Sequence, residues 1–258
     1  MTTQKEAIQS FSKAAHTYEQ SADIQRYVGD KLISSINVQD PTHILDLGCG
    51  TGFFTKKLAK QFPNSQIIAI DISDPMIGLA KRVNNIKNIN YIQSNISDYQ
   101  FSEKEDILFS NAAFQWVNSP RSIFKTISDC AKPGFKAYIS VFGPNTFNEL
   151  SKALNACLSY PVKLDSESFL RIQEWQNIVN PLFDQVSLKQ DLITKVYPNS
   201  LALLKHIKNT GTQGRDKKIN GLWTKSTINK LDSFFNENYG EVQITYQIYY
   251  LTLSNAAK

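Results

Sequence analysis

Residues 44–52 read ILDLGCGTG and constrain the fold more than any other stretch of the chain. Ile44, Leu45 and Leu47 flank Asp46, and glycine then stands at 48, 50 and 52. A short apolar strand that breaks into so many glycines predicts a turn whose backbone is pressed close to something else. The next residues, GFFTKKLAKQF (52–62), have helical spacing, and QIIAI (66–70) reads as a second strand ending at Asp71. Strand, glycine turn, helix and strand in this order build a parallel pair with its crossover.

The alternation continues. A helix is expected to begin at Asp74-Pro75, the aspartate as its cap and the proline in its first turn, where a missing N–H costs nothing. INYIQ (89–93), DILFS (106–110) and FKAYISVF (135–142) read as further strands, with a helix over 120–131 before Pro133-Gly134. Upstream, residues 5–18 place Ile8, Phe11, Ala15 and Tyr18 at helical spacing, and Ser21 is expected to cap a second helix carrying Ile24, Tyr27, Val28 and Leu32. After Gly143-Pro144 helical patterns fill 145–159, 166–180, 200–210 and 225–238, and 184–196 and 241–253 read as strands. The expectation is an α/β, doubly wound chain: a seven-stranded Rossmann-like sheet with helices on both faces and a helical lid insertion. One catalytic domain would comprise an N-terminal helical lid segment (1–40), a cofactor-binding core (41–143), and a helical insertion with the last two strands (144–258).

In such sheets ligands lie beyond the carboxyl ends of the strands, where the strand order reverses. The loop spacing is G-x-G-x-G, not the G-x-G-x-x-G of dinucleotide sites, and no Lys-Ser/Thr follows to cradle phosphates. Asp71 ends the second strand, where a carboxylate can accept from both hydroxyls of a ribose. A cofactor with ribose and adenine but no pyrophosphate fits, and S-adenosylmethionine has that form. The loop and Asp71 together resemble the first two signatures of class I methyltransferases. Asp46, Gly48, Cys49 (through its backbone), Gly50, Asp71 with Ile72, and Met76 would form the cofactor wall. By the same resemblance Asn95 and Ile96 would hold the adenine, an asparagine standing where many relatives carry aspartate. Asn111, in SNAAFQW (110–116), would face the reacting methyl. No D/N-P-P-Y sequence follows strand four, which argues against methylation of nucleic-acid bases or protein amides.

Composition narrows the partners. With 41% hydrophobic and 20% charged residues the chain suits a soluble globular protein, and no apolar run reaches the roughly 18–20 residues of a membrane span. Three cysteines (Cys49, Cys130, Cys157) make no framework, so reduced thiols and a cytoplasmic location are expected, and no metal site. The net charge of +5 is uneven: residues 191–230 hold eight Lys/Arg against two Asp, for +6, while 1–190 sum to +1 and 231–258 to −2. That excess suits an acidic partner.

Six stretches resemble one family across nearly the whole chain: SFSKAAHTYEQSADIQRYVGDKL (10–32), ILDLGCGTGFFTKKLA (44–59), SNAAFQWV (110–117), FGPNTFNEL (142–150), LLKHIKNTG (203–211) and ITYQIYYLT (244–252). The family is the malonyl-[acyl-carrier protein] O-methyltransferases of biotin synthesis. The resemblance implies methyl transfer from S-adenosylmethionine to the free carboxylate of a malonyl thioester on acyl carrier protein, hiding the charge so that the chain can be elongated toward pimeloyl. A carboxyl of ordinary pKa, roughly 4, is already an anion at neutral pH and needs no general base. His16, His43 and His206 are scattered and read as capping or surface residues.

Tyr18 is expected at the reacting end, orienting the carboxylate or touching the methionine part of the cofactor, and Arg26 at the cofactor carboxylate. Lys208 and Arg171 are the candidate cations for the malonyl carboxylate. Arg215, Lys217 and Lys218 would dock the acidic carrier protein. No nucleic acid or membrane partner is expected, and a monomer is favoured. The rival readings are another small-molecule methyltransferase on this scaffold, a cofactor-binding assembly factor without turnover and, last, an RNA methyltransferase, for which the basic segment lacks interleaved aromatic residues.

Overall fold

The structure, a computed structural model, describes residues 4–102, 104–211 and 224–255, with residues 4–8 by backbone alone. Seven strands form one sheet in the order β3-β2-β1-β4-β5-β7-β6. β1 (His43–Leu47), β2 (Gln66–Asp71), β3 (Ile89–Gln93), β4 (Ile107–Asn111) and β5 (Lys136–Phe142) run parallel. β6 (Gln185–Tyr197) and β7 (Val242–Ser254) pair antiparallel, β7 lying between β5 and β6. The order reverses between β1 and β4, so the carboxyl ends of those two strands open the crevice that the glycine loop borders.

Burial explains the strand assignments. Leu45, Leu47, Ile70, Leu108, Ile139 and Leu251 fill one face of the sheet, and Ile44, Ile67, Ile107, Phe109, Tyr138 and Ile248 the other. α5 (Pro120–Cys130) covers the first of these faces and α3 (Phe53–Gln61) the second, the two-sided cover that continuous apolar strands require. On β7, Val242, Ile244, Tyr246 and Ile248 are all buried, as their alternation predicts.

Local chemistry shifts three expected boundaries. α1 (Gln4–Ser21) takes in Ser21, so the break before α2 (Asp23–Ser34) falls at Ala22, whose N–H still bonds the Tyr18 carbonyl at 2.8 Å. The hydroxyl that caps α4 (Asp74–Val83) is Ser73, which accepts from the Met76 N–H at 3.4 Å. Asp74 falls one place inside the helix, where its charge suits the dipole. The stretch expected as one helix over 166–180 is a short 3-10 turn, Asp165–Ser168, followed by α7 (Ile172–Val179). Arg171 between them is extended, and its N–H is held by the Glu174 carboxylate at 2.7 Å.

α1 lies across the carboxyl ends of the strands, and α2 packs along one face of the sheet with only its first turn at the crevice. Ser12 on α1 meets Ser73 oxygen to oxygen at 2.8 Å, and Thr17 donates to the Asn209 carbonyl at 3.1 Å, at the end of α8 (Ser200–Asn209). With α6 (Asn148–Cys157) and the Asp165–Ser168 turn, these helices roof the crevice.

Candidate active site

Two of the loop glycines do different work. Gly48 has φ +75°, and a Cβ there would stand 2.3 Å from the Ala113 Cβ, so the residue is glycine for want of room. Gly50 has φ +55°, and a Cβ there would meet nothing within 4 Å. It faces open cavity. The Gly50 N–H donates to Asp71 Oδ2 at 2.9 Å and the Ser73 N–H to Oδ1 at 2.8 Å, which locks the carboxylate across the loop while leaving each oxygen a further lone pair.

That loop borders a cavity in two connected parts, polar by the charged side chains Arg26, Asp46 and Asp71 in its wall. One is lined by Asp71, Ile72, Met76, Asn95 and Ile96 with Phe11, Ala112, Ala113, Trp116 and Val117. The other is lined by Arg26, Asp46, Cys49, Thr51, Phe53 and Phe54. Tyr18, Gly48, Gly50 and Asn111 belong to both. A third, mostly apolar chamber lies beyond, walled by Phe142, Phe147, Leu150, Leu154, Leu164 and Tyr246, with about 80 Å³ of open space. It joins the polar cavity at two side chains, Gln25 and Trp116. Trp116 is clamped edge-on between Phe11 (5.4 Å) and Phe169 (5.1 Å).

The charges of the polar cavity are set against themselves. Burial pushes the Asp46 carboxyl up to about 7, opposed by the Thr55 hydroxyl (2.6 Å) and reinforced by Asp71. Burial also raises Asp71, against the backbone N–H groups of Ser73 and Gly50. The Cys49 thiol is pushed well up by burial and by both aspartates. Burial, then Asp71, raises the Tyr18 hydroxyl, which stays a proton donor. Two buried carboxylates with raised pKa values favour an arriving cation.

Two of the three non-glycine residues with positive φ among the described residues stand at the same place, the third being Asp40 before β1. Ala112, directly after β4, has φ +55°, and Phe147 in the chamber wall has φ +67°. Neither is glycine, and such conformations persist only where the surroundings impose them. The Ala112 N–H is held by the Ser140 carbonyl (3.0 Å) and hydroxyl (3.1 Å). The Ser140 hydroxyl also donates to Asn111 Oδ1 at 2.7 Å, and Asn111 Nδ2 donates to the Gln25 carbonyl at 3.0 Å. One hydrogen-bonded chain thus ties β5, β4 and α2 together.

Comparison with known proteins fits this layout. A family profile described as "Methyltransferase domain" matches residues 39–194. The YcgJ protein from Bacillus subtilis superposes with a TM-score of 0.62 at 14% identity, covering 89% of this chain and 99% of that one. Phosphoethanolamine N-methyltransferase 2 of Haemonchus contortus, solved with S-adenosyl-L-methionine, superposes with a TM-score of 0.59 at 15% identity over 95% of this chain and 57% of its own. Malonyl-[acyl-carrier protein] O-methyltransferase 1 of Ilyobacter polytropus is 32% identical over 96% of this chain and 94% of its own length. The second enzyme of that name in the same organism is 31% identical over 98% of both. The chain belongs to the malonyl-[acyl-carrier protein] O-methyltransferases.

For a member of this family the expected cofactor-side residues fall together. Tyr18, Arg26, Asp46, Gly48, Cys49, Gly50, Asp71, Ile72, Met76, Asn95, Ile96 and Asn111 all line the polar cavity. Tyr18 lines both of its parts and is not among the residues of the apolar chamber. Arg26 donates to the Glu19 carbonyl, and the Asn95 side-chain oxygen accepts from the Ser97 N–H at 3.1 Å.

The expected acceptor cations of this methyltransferase do not line the chamber. Lys208 is exposed in the last turn of α8, and Arg171 is exposed ahead of α7. Arg215, Lys217 and Lys218 lie outside the described residues. The imidazole read as surface or capping is the one that goes in: His206 lines the chamber, with its side chain 13% exposed. It packs edge-on to Tyr197 (5.3 Å) and sits 3.7 Å from Asp23, whose other oxygen pairs with Lys195 at 2.5 Å. Burial, then Lys195, lowers its pKa to about 4, with Asp23 opposing. His206 shares a helix face with Leu203, Ile207 and Thr210, a placement legible in the i, i+3, i+4 pattern. Gln25 and Ser166, both buried in the chamber wall, were also missed.

Proposed function

We propose that the chain transfers a methyl group from S-adenosylmethionine to the free carboxylate of a malonyl group carried on acyl carrier protein. The observation that carries this reading is the adjacency of two cavities: an apolar chamber lies next to the polar cavity, with Gln25 and Trp116 in the walls of both. A donor in one and an acceptor in the other would meet at that shared wall.

The residues of the polar cavity fit the cofactor. Gly50 leaves open space beside the loop, and Asp71 keeps a free lone pair on each oxygen for ribose hydroxyls. Asn95 and Ile96 would hold the adenine, and Tyr18 and Arg26 the methionine end. The raised Asp46 and Asp71 suit a ligand with net positive charge. Bound there, S-adenosylmethionine supplies an electrophilic methyl group.

The chain then has three tasks. It aligns the acceptor oxygen, worth on the order of 7–11 kcal/mol when the geometry is near attack. It excludes water, with α1, α6, α8 and the first turn of α2 around the crevice. It leaves the carboxylate ionised, which at neutral pH requires no base. Its lid segment (1–40), core (41–143) and insertion (144–258) act as one catalytic unit. An acidic carrier protein would meet Arg215, Lys217 and Lys218, and we place the reaction in the cytoplasm. No helix among the described residues is long and apolar enough to cross a membrane.

The test is to offer the protein S-adenosylmethionine with malonyl-carrier protein, malonyl-CoA and free malonate, and to weigh the products. A malonyl methyl ester on the carrier, formed faster at low salt, is expected. Binding of the cofactor with no methyl ester on any malonyl thioester would overturn the reading.

A further inference from the structure

The apolar chamber is furnished for a neutral guest. Among the described residues in its wall there is no lysine or arginine, and Asp165 is acidic. His206, its pKa lowered to about 4, carries no charge at neutral pH. An anion taken into such a wall would be buried without a partner, at prohibitive cost. A neutral chain with a few hydrogen-bonding groups meets no such penalty, and apolar cavities commonly fix such a guest through isolated polar points.

Most hydroxyls in the wall are already spent inside the protein. Thr146 donates to the Gln247 carbonyl at 3.2 Å and accepts from the Gln247 N–H at 3.1 Å. Tyr246 meets the Tyr197 hydroxyl at 2.8 Å, and Thr210 donates to the Ile207 carbonyl at 3.0 Å. Ser166 differs. Its Oγ is buried with no hydrogen-bond partner among the described residues, and the residue is 4% exposed. Gln25 Oε1, in the wall shared with the polar cavity, is a second buried oxygen without a partner, and it can only accept. Buried polar groups are nearly always paired, so unpaired ones in a cavity wall mark where a guest completes the bonding.

The backbone around Ser166 is fixed without help from that hydroxyl. The Glu167 carboxylate accepts from the Leu164 N–H at 3.0 Å and from the Ser151 hydroxyl at 2.7 Å, pinning the turn to α6. The Ser166 carbonyl accepts from the Phe169 N–H at 2.9 Å. A rigid turn thus presents a hydroxyl for which the fold itself has no use.

We infer that the Ser166 hydroxyl is the hydrogen-bond seat for an amide of the tether that joins the malonyl thioester to its carrier. This rests on the malonyl reading above. With the carboxylate at the wall shared with the polar cavity, the thioester and its tether trail behind through the chamber. A pantetheine tether is neutral, mostly methylene, and broken by amides, which suits an apolar wall with isolated oxygens. An amide N–H gives Ser166 Oγ a donor, and an amide carbonyl gives its O–H an acceptor. Ser166 would then favour thioesters on a pantetheine arm over free acids, because only they reach it while the carboxylate meets the methyl donor.

The variant that tests this is Ser166→Ala, offered two malonyl thioesters of matching length: one of pantetheine, and one of an alkanethiol, which has no amide. Binding to protein saturated with S-adenosylhomocysteine is measured by calorimetry. Ser166→Ala is expected to weaken the pantetheine thioester about fivefold and to leave the alkyl thioester within about 1.5-fold of the wild type. KM for malonyl-carrier protein should rise by a similar factor with turnover at saturation unchanged, the signature of lost uniform binding. Equal losses on both thioesters, which a merely structural role would give, or no loss on either, would overturn the seat. If the wild type binds these thioesters but methylates no malonyl thioester, the malonyl reading fails. The seat for an amide-bearing tether then stands if Ser166→Ala weakens the pantetheine thioester selectively, and falls if it does not. A wild type that binds neither thioester overturns both.

Discussion

The polar cavity and the apolar chamber share one crevice but are built on opposite plans. The cavity is made by loops at the ends of parallel strands, and its key groups are the backbone N–H donors that hold the Asp71 carboxylate and a second carboxylate, Asp46, held by the Thr55 hydroxyl. The chamber is made by side chains from α2, α6, the Asp165–Ser168 turn, α8 and β7, brought together across more than 200 residues, and is polar at isolated points. Their titrating groups are strained in opposite senses: a carboxyl raised to about 7 on one side, an imidazole lowered to about 4 on the other. The difference teaches that a fixed cofactor is held by backbone geometry, whereas a particular acceptor is chosen by side chains laid on the same scaffold.

The largest break in that symmetry should come from Gly50→Leu. The added side chain enters the polar cavity, and a non-glycine residue at φ +55° costs about 1–2 kcal/mol on its own account. Affinity for S-adenosylhomocysteine should fall on the order of a thousandfold, about 4 kcal/mol, while affinity for the methyl ester carrier falls less than threefold. Loss of both ligands together, measured by calorimetry, would show that the two regions are not separable.

Next in size is the pH dependence of stability. The raised Asp46 contributes stability that is present below about pH 4 and lost as pH climbs through about 7, because the native state there holds a proton the unfolded chain gives up. His206 works the other way. Its contribution is present above its ordinary 6.5 and is lost as pH falls through about 4, with Lys195 opposing its charge and Asp23 favouring it. In the wild type the two slopes oppose one another between pH 4 and 7. Asp46→Asn should gain about 2 kcal/mol over the wild type as pH rises across that window, and His206→Gln should gain a similar amount as pH falls. Urea titrations at a series of pH values read both. Parallel curves for all three proteins would remove the opposition from the account.

How much of this was legible follows the same division. In the cavity, ILDLGCGTG, strand-end Asp71 and the residues after β3 and β4 are local patterns, and parallel register carries them to one edge. The seven strands were legible for the same reason, although their order in the sheet was not. The chamber was not. Lys208 was favoured for its charge, yet it stands two residues from His206, and positions two apart on a helix point to different sides. Since Leu203, Ile207 and Thr210 are buried, Lys208 is turned to solvent. Gln25 sits in an otherwise apolar stripe with Ile24, Val28 and Leu32, where a buried amide signals a ligand only once its missing partner is seen. Phe169 and Trp116 meet across 53 positions of sequence, a contact no periodicity announces.

That contact supplies a smaller test of the chamber alone. Phe169 props Trp116 from the chamber side, and an edge-to-face pair of this kind is worth about 0.5–1.5 kcal/mol beyond its buried area. Phe169→Ala should raise KM for malonyl-carrier protein about tenfold, with affinity for S-adenosylhomocysteine within twofold. An equal loss on the cofactor side would mean that the indole belongs to the cavity and not to the junction.

The smallest expected effect probes the strain at the seam. Ala112 carries φ +55° between Asn111, which faces the cavity, and Ala113, whose Cβ blocks any side chain at Gly48. Glycine relieves the steric cost of that conformation but adds freedom to the unfolded chain, by about 0.4–1 kcal/mol in the opposite direction. Ala112→Gly should therefore leave stability within roughly 1 kcal/mol of the wild type. Turnover should fall a few-fold, because the Ser140–Asn111–Gln25 chain keeps its partners while the backbone between them loosens. If turnover rises instead, the strained alanine is a brake on the acceptor side and not its support, and the Asn111 link is where the two regions are held apart.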